Sequence, residues 1–300
     1  MKISYVVVDS QGVPLISSGD VECPVWMHST AKPIQLLPFL DRGLDRKYSL
    51  TPEEVVLLAS SHLAQPQHVD TLLSVFRKAE LKEQMLILPP SAPQGIKSYN
   101  NWLKNSGKMQ KRYHPCSGNH AAIMLLQREL TGSTDGYEQL DSLAQREILQ
   151  YIQEYVGTKA LLGQDNCGIP TYGVSLRQIA VSYLKLVTAS LGSSARRFVD
   201  SVHVAPVMLE GEGCISTILC KDRNLMAKTG INYLLAIGSR INNIAVAIKA
   251  EDGWDAVICG LCEISNQIKI IDNEQVCELK SCIVDILVRE YRCSGGTDTA

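Results

Sequence analysis

The sequence predicts a mixed α/β protein of the α+β kind, in which one mostly antiparallel sheet is assembled from both ends of the chain. Helices flank the sheet, and a helical lobe is inserted between its two halves. Three observations predict this. β-Rich runs occur at the amino terminus and again beyond residue 213. The stretch from about 30 to 200 carries helical periodicity instead. Nowhere does the chain show the regular strand–helix alternation that builds a parallel sheet. The sheet is therefore expected from residues 2–18 and 213–250, and the lobe from 30–200, all within a single domain spanning 1–300. No linker composition, internal repeat or low-complexity segment divides it.

Taken in order, "ISYVVVDSQGVPLISSGD" reads as two β runs around a Gln11-Gly12 turn, a hairpin. "STAKPIQLLPFL" reads as a buried helix that opens near Ser29, with Pro33 close to its start and Ile34, Leu36, Leu37, Phe39 and Leu40 as its apolar residues. Helical patterns follow at 52–61, 67–80, 119–130, 141–156, 174–190 and 193–202. "LPPSAPQG" and glycine-rich segments around 118 and 163 interrupt them. "CISTILC" and "LMAKTG" then read as short strands, and "INYLLAIG" and "NIAVAIKA" as a second hairpin about "SRIN". Helices at 254–266 and 275–292 close the chain, followed by a loose tail at 293–300.

Composition narrows the function classes. The chain has 300 residues, is 45% hydrophobic and 20% charged, and carries a formal net charge of −2. Such a chain buries a large core and presents no electrostatic footprint for nucleic acid or an anionic membrane. A small molecule or a second copy of the chain is the expected partner. Only four apolar residues precede Asp9 in a row, too few for a signal-peptide core, and no later stretch offers an uncharged membrane span. A cytoplasmic location is expected. The ten cysteines are then expected as reduced thiols rather than a disulfide framework. "CGLC" at 259–262 reads as two packed thiols on one helix face, since no second CxxC completes a metal site.

The chemistry-bearing residues come as three triplets. Ser29 and Lys32 lie one helical turn apart, so their side chains share a face. Spacing alone is weak, because Ser182 and Lys185 repeat it on what reads as the solvated face of an amphipathic helix. Two further triplets add weight: Ser117-Gly118-Asn119 and Lys228-Thr229-Gly230. Ser-x-x-Lys, Ser-x-Asn and Lys-Thr-Gly in that order form the signature of penicillin-recognising serine enzymes. A serine hydroxyl is a poor nucleophile until a base takes its proton, and lysine is a base only when neutral. Burial or a neighbouring cation favours that form, which two lysines converging on one pocket would provide for each other.

About residues 1–270 resemble the L-asparaginase II family, the thermolabile type related in fold to serine β-lactamases and serine-dependent glutaminases. The resemblance rests on "STAKPIQLLPFL", "LASSHLAQPQHVD", "HPCSGNHAAIML", "GQDNCGIPTYGVSL" and "AKTG", five segments in order. It implies hydrolysis of the side-chain amide of asparagine to aspartate and ammonia through an acyl-enzyme. The two Ser/Lys pairs it implies fall on Ser29 with Lys32 and Ser61 with Lys228, with Ser29 the preferred nucleophile. It further implies His62, Asn119, Asp165, Thr229 and Gly230 at the substrate, and a homodimer. No cofactor is required for the Ser/Lys chemistry. The family's zinc site falls on Cys116, Cys167 and Asn119, where asparagine replaces a lysine and His114 or His120 would have to substitute. Other positions depart from the family pattern: its Ser-Gly-Glu reads Leu63-Ala64-Gln65, an acidic residue is replaced near Asn232, and its Gly-Arg-Phe-Asp-Thr reads Gly213-Cys214-Ile215-Ser216-Thr217. Two alternatives therefore stay open, a penicillin-recognising serine hydrolase and a non-catalytic descendant that binds an amino acid.

Overall fold

The computed structural model describes residues 2–105 and 107–282. Its strands are β1 (Ile3–Val8), β2 (Pro14–Ser18), β3 (Pro24–Trp26), β4 (Leu161–Gln164), β5 (Pro170–Ser175), β6 (Leu225–Gly230), β7 (Leu234–Ser239) and β8 (Ile244–Ala250). Its helices are α1 (Lys32–Gln35), α2 (Leu37–Asp41), α3 (Leu44–Lys47), α4 (Pro52–Leu57), α5 (Pro66–Lys78), α6 (Ile96–Lys104), α7 (Ser117–Thr131), α8 (Leu143–Val156), α9 (Leu176–Val187), α10 (Ser194–Val204), α11 (Ile215–Leu219) and α12 (Trp254–Ile268). The fold is mixed α/β, built on a five-stranded sheet in the order β2-β1-β8-β7-β6. All its pairings are antiparallel, and β1 meets β8 across the chain, Val6 opposite Ala247. The two ends of the sequence are thus joined by one ladder of hydrogen bonds.

Strands β1, β8, β7 and β6 are covered on both faces and read as continuous apolar runs rather than alternating ones, whereas the edge strand β2 is largely exposed. A Cβ on Gly238 of β7 would lie 2.5 Å from the Tyr183 carbonyl oxygen of α9, so that helix rests directly on the sheet backbone. On α12, a Cβ on Gly260 would lie 2.3 Å from the Ile3 side chain of β1. Helix starts follow local chemistry. Thr51 with Glu54 forms a capping box at α4, Ser175 with Gln178 does so at α9, and Ser142 and Ser193 cap α8 and α10. Gly132 and Gly157 end α7 and α8 in the left-handed conformation.

The structure departs from the sequence expectation in four places. The helix expected from Ser29 is a 3-10 turn over His28–Ala31 followed by the short α1 and α2, because Pro33 and Pro38 each remove a backbone donor. "CISTILC" forms α11 instead of a strand, since the Glu210 carboxylate accepts from both the Ser216 amide and hydroxyl and so supplies an N-terminal cap from outside the segment. A second sheet, β3-β5-β4, takes two strands from inside the expected helical lobe and one, β3, from just before it. There Trp26 lies against Gly163 and Gly173, where added Cβ atoms would approach its ring to 2.8 and 3.1 Å. Finally, Cys259 of "CGLC" is exposed on α12 rather than packed. The helix expected at 275–292 begins within residues 273–282, and its remainder, like the tail at 293–300, lies outside the described residues. Among the described residues no helix is long and apolar enough to cross a membrane.

Gly118 decides how closely the first turn of α7 approaches the end of α4, because its missing Cβ would lie 2.1 Å from the Leu57 carbonyl oxygen. That approach brings Cys116 and Ser117 to the segment carrying Ser60 and Ser61. Gly118→Ala is expected to destabilise the protein by about 2–3 kcal/mol in denaturant unfolding, the scale of an overpacked core. An unchanged midpoint would show that α7 can move away freely.

Candidate active site

The site lies where α1, the segment after α4, the start of α7 and β6 meet. Lys32 on α1 is 3% exposed, yet it carries an amine, and that amine has three partners. Its Nζ lies 2.8 Å from the Ser60 carbonyl oxygen, 3.0 Å from Ser61 Oγ and 3.2 Å from Cys116 Sγ. The segment holding the two serines is pinned on both sides. Ser61 N–H donates to the Leu209 carbonyl, His62 N–H to the Pro115 carbonyl and Leu63 N–H to the Glu210 carbonyl. Ser61 and Glu210 therefore sit on neighbouring backbones, although they lie far apart in sequence.

Lys228, on β6, is fully buried and bonds the Glu210 carboxylate at 2.7 Å and the Thr229 carbonyl oxygen at 3.1 Å. Glu210, itself 5% exposed, also accepts from Ser216 Oγ at 2.7 Å, from Ser216 N–H at 3.2 Å and from Thr229 Oγ1. Burial alone would raise the carboxyl's pKa, but Lys228 and the two hydroxyls outweigh it and hold Glu210 below the usual carboxylate range. Burial and the Lys32 amine together push Lys228 down, against the opposing pull of Glu210. The two lysines thus act on each other across the site. Gly230 allows this approach, because a Cβ there would lie 3.1 Å from the Met27 carbonyl oxygen at the foot of the Ser29 turn.

The pairing of hydroxyls and amines differs from the one implied by the resemblance. Lys32 meets Ser61, and Lys228 meets Glu210. Ser29 is half-buried in the 3-10 turn; its carbonyl accepts the Lys32 N–H, and its hydroxyl bonds no side chain among the described residues. His62 stands beside Ser61 in sequence, but both of its ring nitrogens are engaged elsewhere. Nδ1 accepts the Ala64 N–H at 3.1 Å, which places the ring proton on Nε2, 2.7 Å from Ser117 Oγ. No nitrogen of His62 is left for a substrate. Thr229 likewise turns its hydroxyl to Glu210. Asp165 meets the site through His28, whose Nδ1 lies 3.3 Å from its Oδ1, and the same oxygen accepts the Asn166 N–H at 2.8 Å. Asn119 is buried in the first turn of α7 with no hydrogen-bond partner for either amide atom. Of the Ser182/Lys185 pair, the lysine lies at the surface as expected and donates to the Glu154 carbonyl, whereas Ser182 is buried and donates to the Ile179 carbonyl.

Glu210 escaped the sequence analysis. It lies in "LEGEG", outside every family-like segment. The readable signal was the loss at 216, where a serine stands at the family's aspartate position. A groove of about 330 Å³ opens beside Ala64, between Pro66, Trp102 and Tyr113, and shares no residue with the Lys32–Ser61 cluster.

Cys116 and Cys167 are neighbours. A hydrogen bond from Cys167, reinforced by Lys32 and His114, holds the Cys116 thiol well below its usual pKa, while that same contact and burial raise Cys167. The pair holds one proton more readily than two or none. Their donor set does not fit the implied zinc. Among the described residues no three His, Cys, Asp or Glu side chains gather. His114 Nδ1 accepts the Cys116 N–H, and the Nδ1 of His120 faces Tyr137. Position 119 offers a carboxamide, a poor zinc donor, where thiolate, imidazole or carboxylate is needed to complete at least three ligands.

A buried serine–lysine cluster between a helical lobe and an antiparallel sheet defines a class of hydrolase sites, and sequence comparison gives the family. The family model for L-asparaginase II matches residues 1–292, and the chain belongs to that family. No curated protein sequence matches it. Among solved structures, the crystal structure of Mglu in its native form is similar over 91% of this chain and 66% of that one, with a TM-score of 0.42 and 13% identity. The match therefore spans just under two thirds of that chain.

The buried imidazoles make stability depend on pH. Burial drives His62 well below its ordinary pKa and His68 down to about 4, and the two rings stack with centroids 5.5 Å apart. Below the unfolded-state value of about 6.5 the unfolded chain binds protons that the folded protein refuses, so folding stability is complete above that pH and falls as the pH drops towards 4. At pH 5 we expect His68 alone to cost about 2 kcal/mol relative to pH 7. Urea unfolding at the two pH values checks this, and His68→Gln is expected to flatten the dependence.

Proposed function

We propose that this protein is an amidohydrolase that converts L-asparagine to L-aspartate and ammonia, with Ser61 as nucleophile and Lys32 as its base. The observation that carries this is the 3.0 Å approach of Lys32 Nζ to Ser61 Oγ inside a buried pocket. A carbonyl oxygen can only accept, so the Ser60 carbonyl takes one N–H of Lys32. A neutral amine then turns its lone pair to the Ser61 hydroxyl and its second N–H to Cys116. The thiol pair supplies the matching place for a proton. Cys116 carries it when Lys32 is the free amine and gives it back when Lys32 is the ammonium.

In the proposed reaction, Ser61 Oγ attacks the carboxamide carbon while its proton passes to Lys32. The tetrahedral oxyanion forms beside the Lys228 ammonium and the positive end of the α7 dipole. Collapse breaks the C–N bond, and the Lys32 ammonium protonates the departing nitrogen, which leaves as ammonia. Lys32, neutral again, takes a proton from water as it attacks the Ser61 ester, and returns it to Ser61 Oγ as the ester C–O bond breaks, which releases aspartate and restores the free hydroxyl and amine. Asp165 is suited to the substrate's α-ammonium, since both of its bonds use Oδ1. This chemistry needs no cofactor. On the family resemblance we propose a homodimer, and from the sequence reading a cytoplasmic location.

The test is ammonia release from asparagine and glutamine by the purified protein. Ser61→Ala and Lys32→Met are each expected to lower kcat by about 10⁴-fold or more, the scale for removing a nucleophile or its base. Ser29→Ala is expected to cost far less. Full activity in Ser61→Ala would end the mechanism. Thermal stabilisation by asparagine without turnover would make the protein a binder instead, and covalent labelling by a fluorescent penicillin would move it to the penicillin-recognising class.

A further inference from the structure

We propose that Glu210 is a positioning residue that holds Lys228 as a fixed ammonium, so that Lys228 supplies positive charge to the reacting oxygen and Lys32 alone transfers protons. This rests on the Ser61–Lys32 reading for its catalytic consequence, though not for its electrostatic content. Four donors converge on the Glu210 carboxylate: the Lys228 amine, the Thr229 hydroxyl, and the Ser216 hydroxyl and amide. Three of them meet Oε1 and one meets Oε2, so the carboxylate is held as an anion by hydrogen bonds, with a single cation among its donors. Lys228 has three N–H donors and gives two, to Glu210 and to the Thr229 carbonyl. One donor is left for the site.

The arrangement also accounts for a missing charge. The family-like aspartate position is Ser216 here, and Ser216 hands its hydrogen bonds to Glu210, six residues earlier. The carboxylate has moved along the chain without leaving the cluster. Other groups acting on the pair leave it the controlling anion. Lys32 from α1 opposes the Lys228 charge, and Cys214, before α11, favours it. Cys220, at the end of α11, is pushed up to about 12 by burial and so stays a neutral thiol. Tyr183 from α9 is raised well above its usual value, again by burial, and is also neutral. Asp222 acts on Cys220 and His203.

The experiment is NMR titration of protein labelled with ¹³C at the lysine ε-carbon, with the Lys228 signal assigned from Lys228→Met, alongside steady-state kinetics. In the unaltered protein the Lys228 carbon is expected in its ammonium form between about pH 6 and 8. In Glu210→Gln its midpoint is expected to fall by about one pH unit or more, the usual influence of an adjacent opposite charge. There kcat for asparagine should fall about 10²-fold with KM within a factor of about two, as for loss of a transition-state contact. Glu210→Asp, which keeps the charge, is expected to restore most of both. A neutral Lys228 near pH 7 in the unaltered protein, or an equal midpoint in Glu210→Gln, overturns the proposal. Should Glu210→Gln fail to fold, the unaltered protein and Glu210→Asp decide it, a fall in the Asp variant's midpoint as large as one unit counting against it. If Ser61→Ala proved fully active, the reaction scheme would fail while the Lys228 midpoint still reported on Glu210.

Discussion

The structure around the site depends on one buried amine. Lys32 Nζ ties α1 to two other segments, through the carbonyl of Ser60 and the hydroxyl of Ser61 on one and the thiol of Cys116 on the other, at 2.8, 3.0 and 3.2 Å. A lysine in an apolar interior is costly unless each donor finds an acceptor and some neighbouring group balances its charge. Each contact here meets one of those demands, and each also fixes an element. Ser60 and Ser61 follow α4, Cys116 precedes α7, and Gly118 presses α7 against the end of α4. The lysine cannot be satisfied unless the lobe closes, and the lobe closes onto a reactive hydroxyl.

A second lysine beside the first sets the charge problem for the whole pocket. Two buried amines in mutual reach need polar partners, and the structure provides them on opposite sides. Cys116, with its thiol kept acidic by Cys167 and Lys32, serves the lobe side; Glu210 serves the sheet side. The partners differ in kind. A thiol with a depressed pKa beside an amine is suited to the proton exchange that the proposed reaction asks of the Lys32–Cys116 side. A carboxylate held by four donors is not, so the Lys228–Glu210 side is fixed. The asymmetry between a proton carrier and a static charge arises from what each lysine faces.

Much of this was legible in the sequence. The antiparallel sheet from both chain ends follows from β runs at 3–18 and 225–250, and the helices from caps such as Thr51 and Ser175 ahead of periodic segments. Lys32 and Lys228 of two triplets act on each other across the site, whereas the Ser29 hydroxyl bonds no side chain among the described residues. What could not be read was which hydroxyl each amine would meet. That depends on the backbone path of 60–63 between residues 115 and 209–210, a tertiary pairing without local signature. α11 was misread for a related reason. Its β-branched residues favour a strand, and the carboxylate that caps it as a helix stands outside the segment. The small second sheet was missed because three- and four-residue strands carry no periodicity, and their packing rests on Trp26 and two glycines that make close contact only in the fold.

The replaced family positions show why loss of a motif residue is a poor measure of loss of a site. Gln65 has no charge where the family pattern has a glutamate, yet its Oε1 accepts the Glu212 N–H at 3.1 Å, and Gly211 leaves room for it. Ser216 has no charge where the pattern has an aspartate, yet its hydroxyl still receives the Thr229 N–H at 2.9 Å and passes a bond to Glu210. In both cases the hydrogen-bond connection persists while the formal charge is absent from the aligned position. A buried network constrains its total charge and its connectivity more strongly than the position of any single charge, because each unpaired ion or orphaned donor there is costly wherever it stands. A carboxylate can therefore move from 216 to 210 provided the hydroxyl between them completes the path. In this chain the negative charge beside Lys228 is attached at Glu210, and Ser216 links it to the Thr229 backbone of β6.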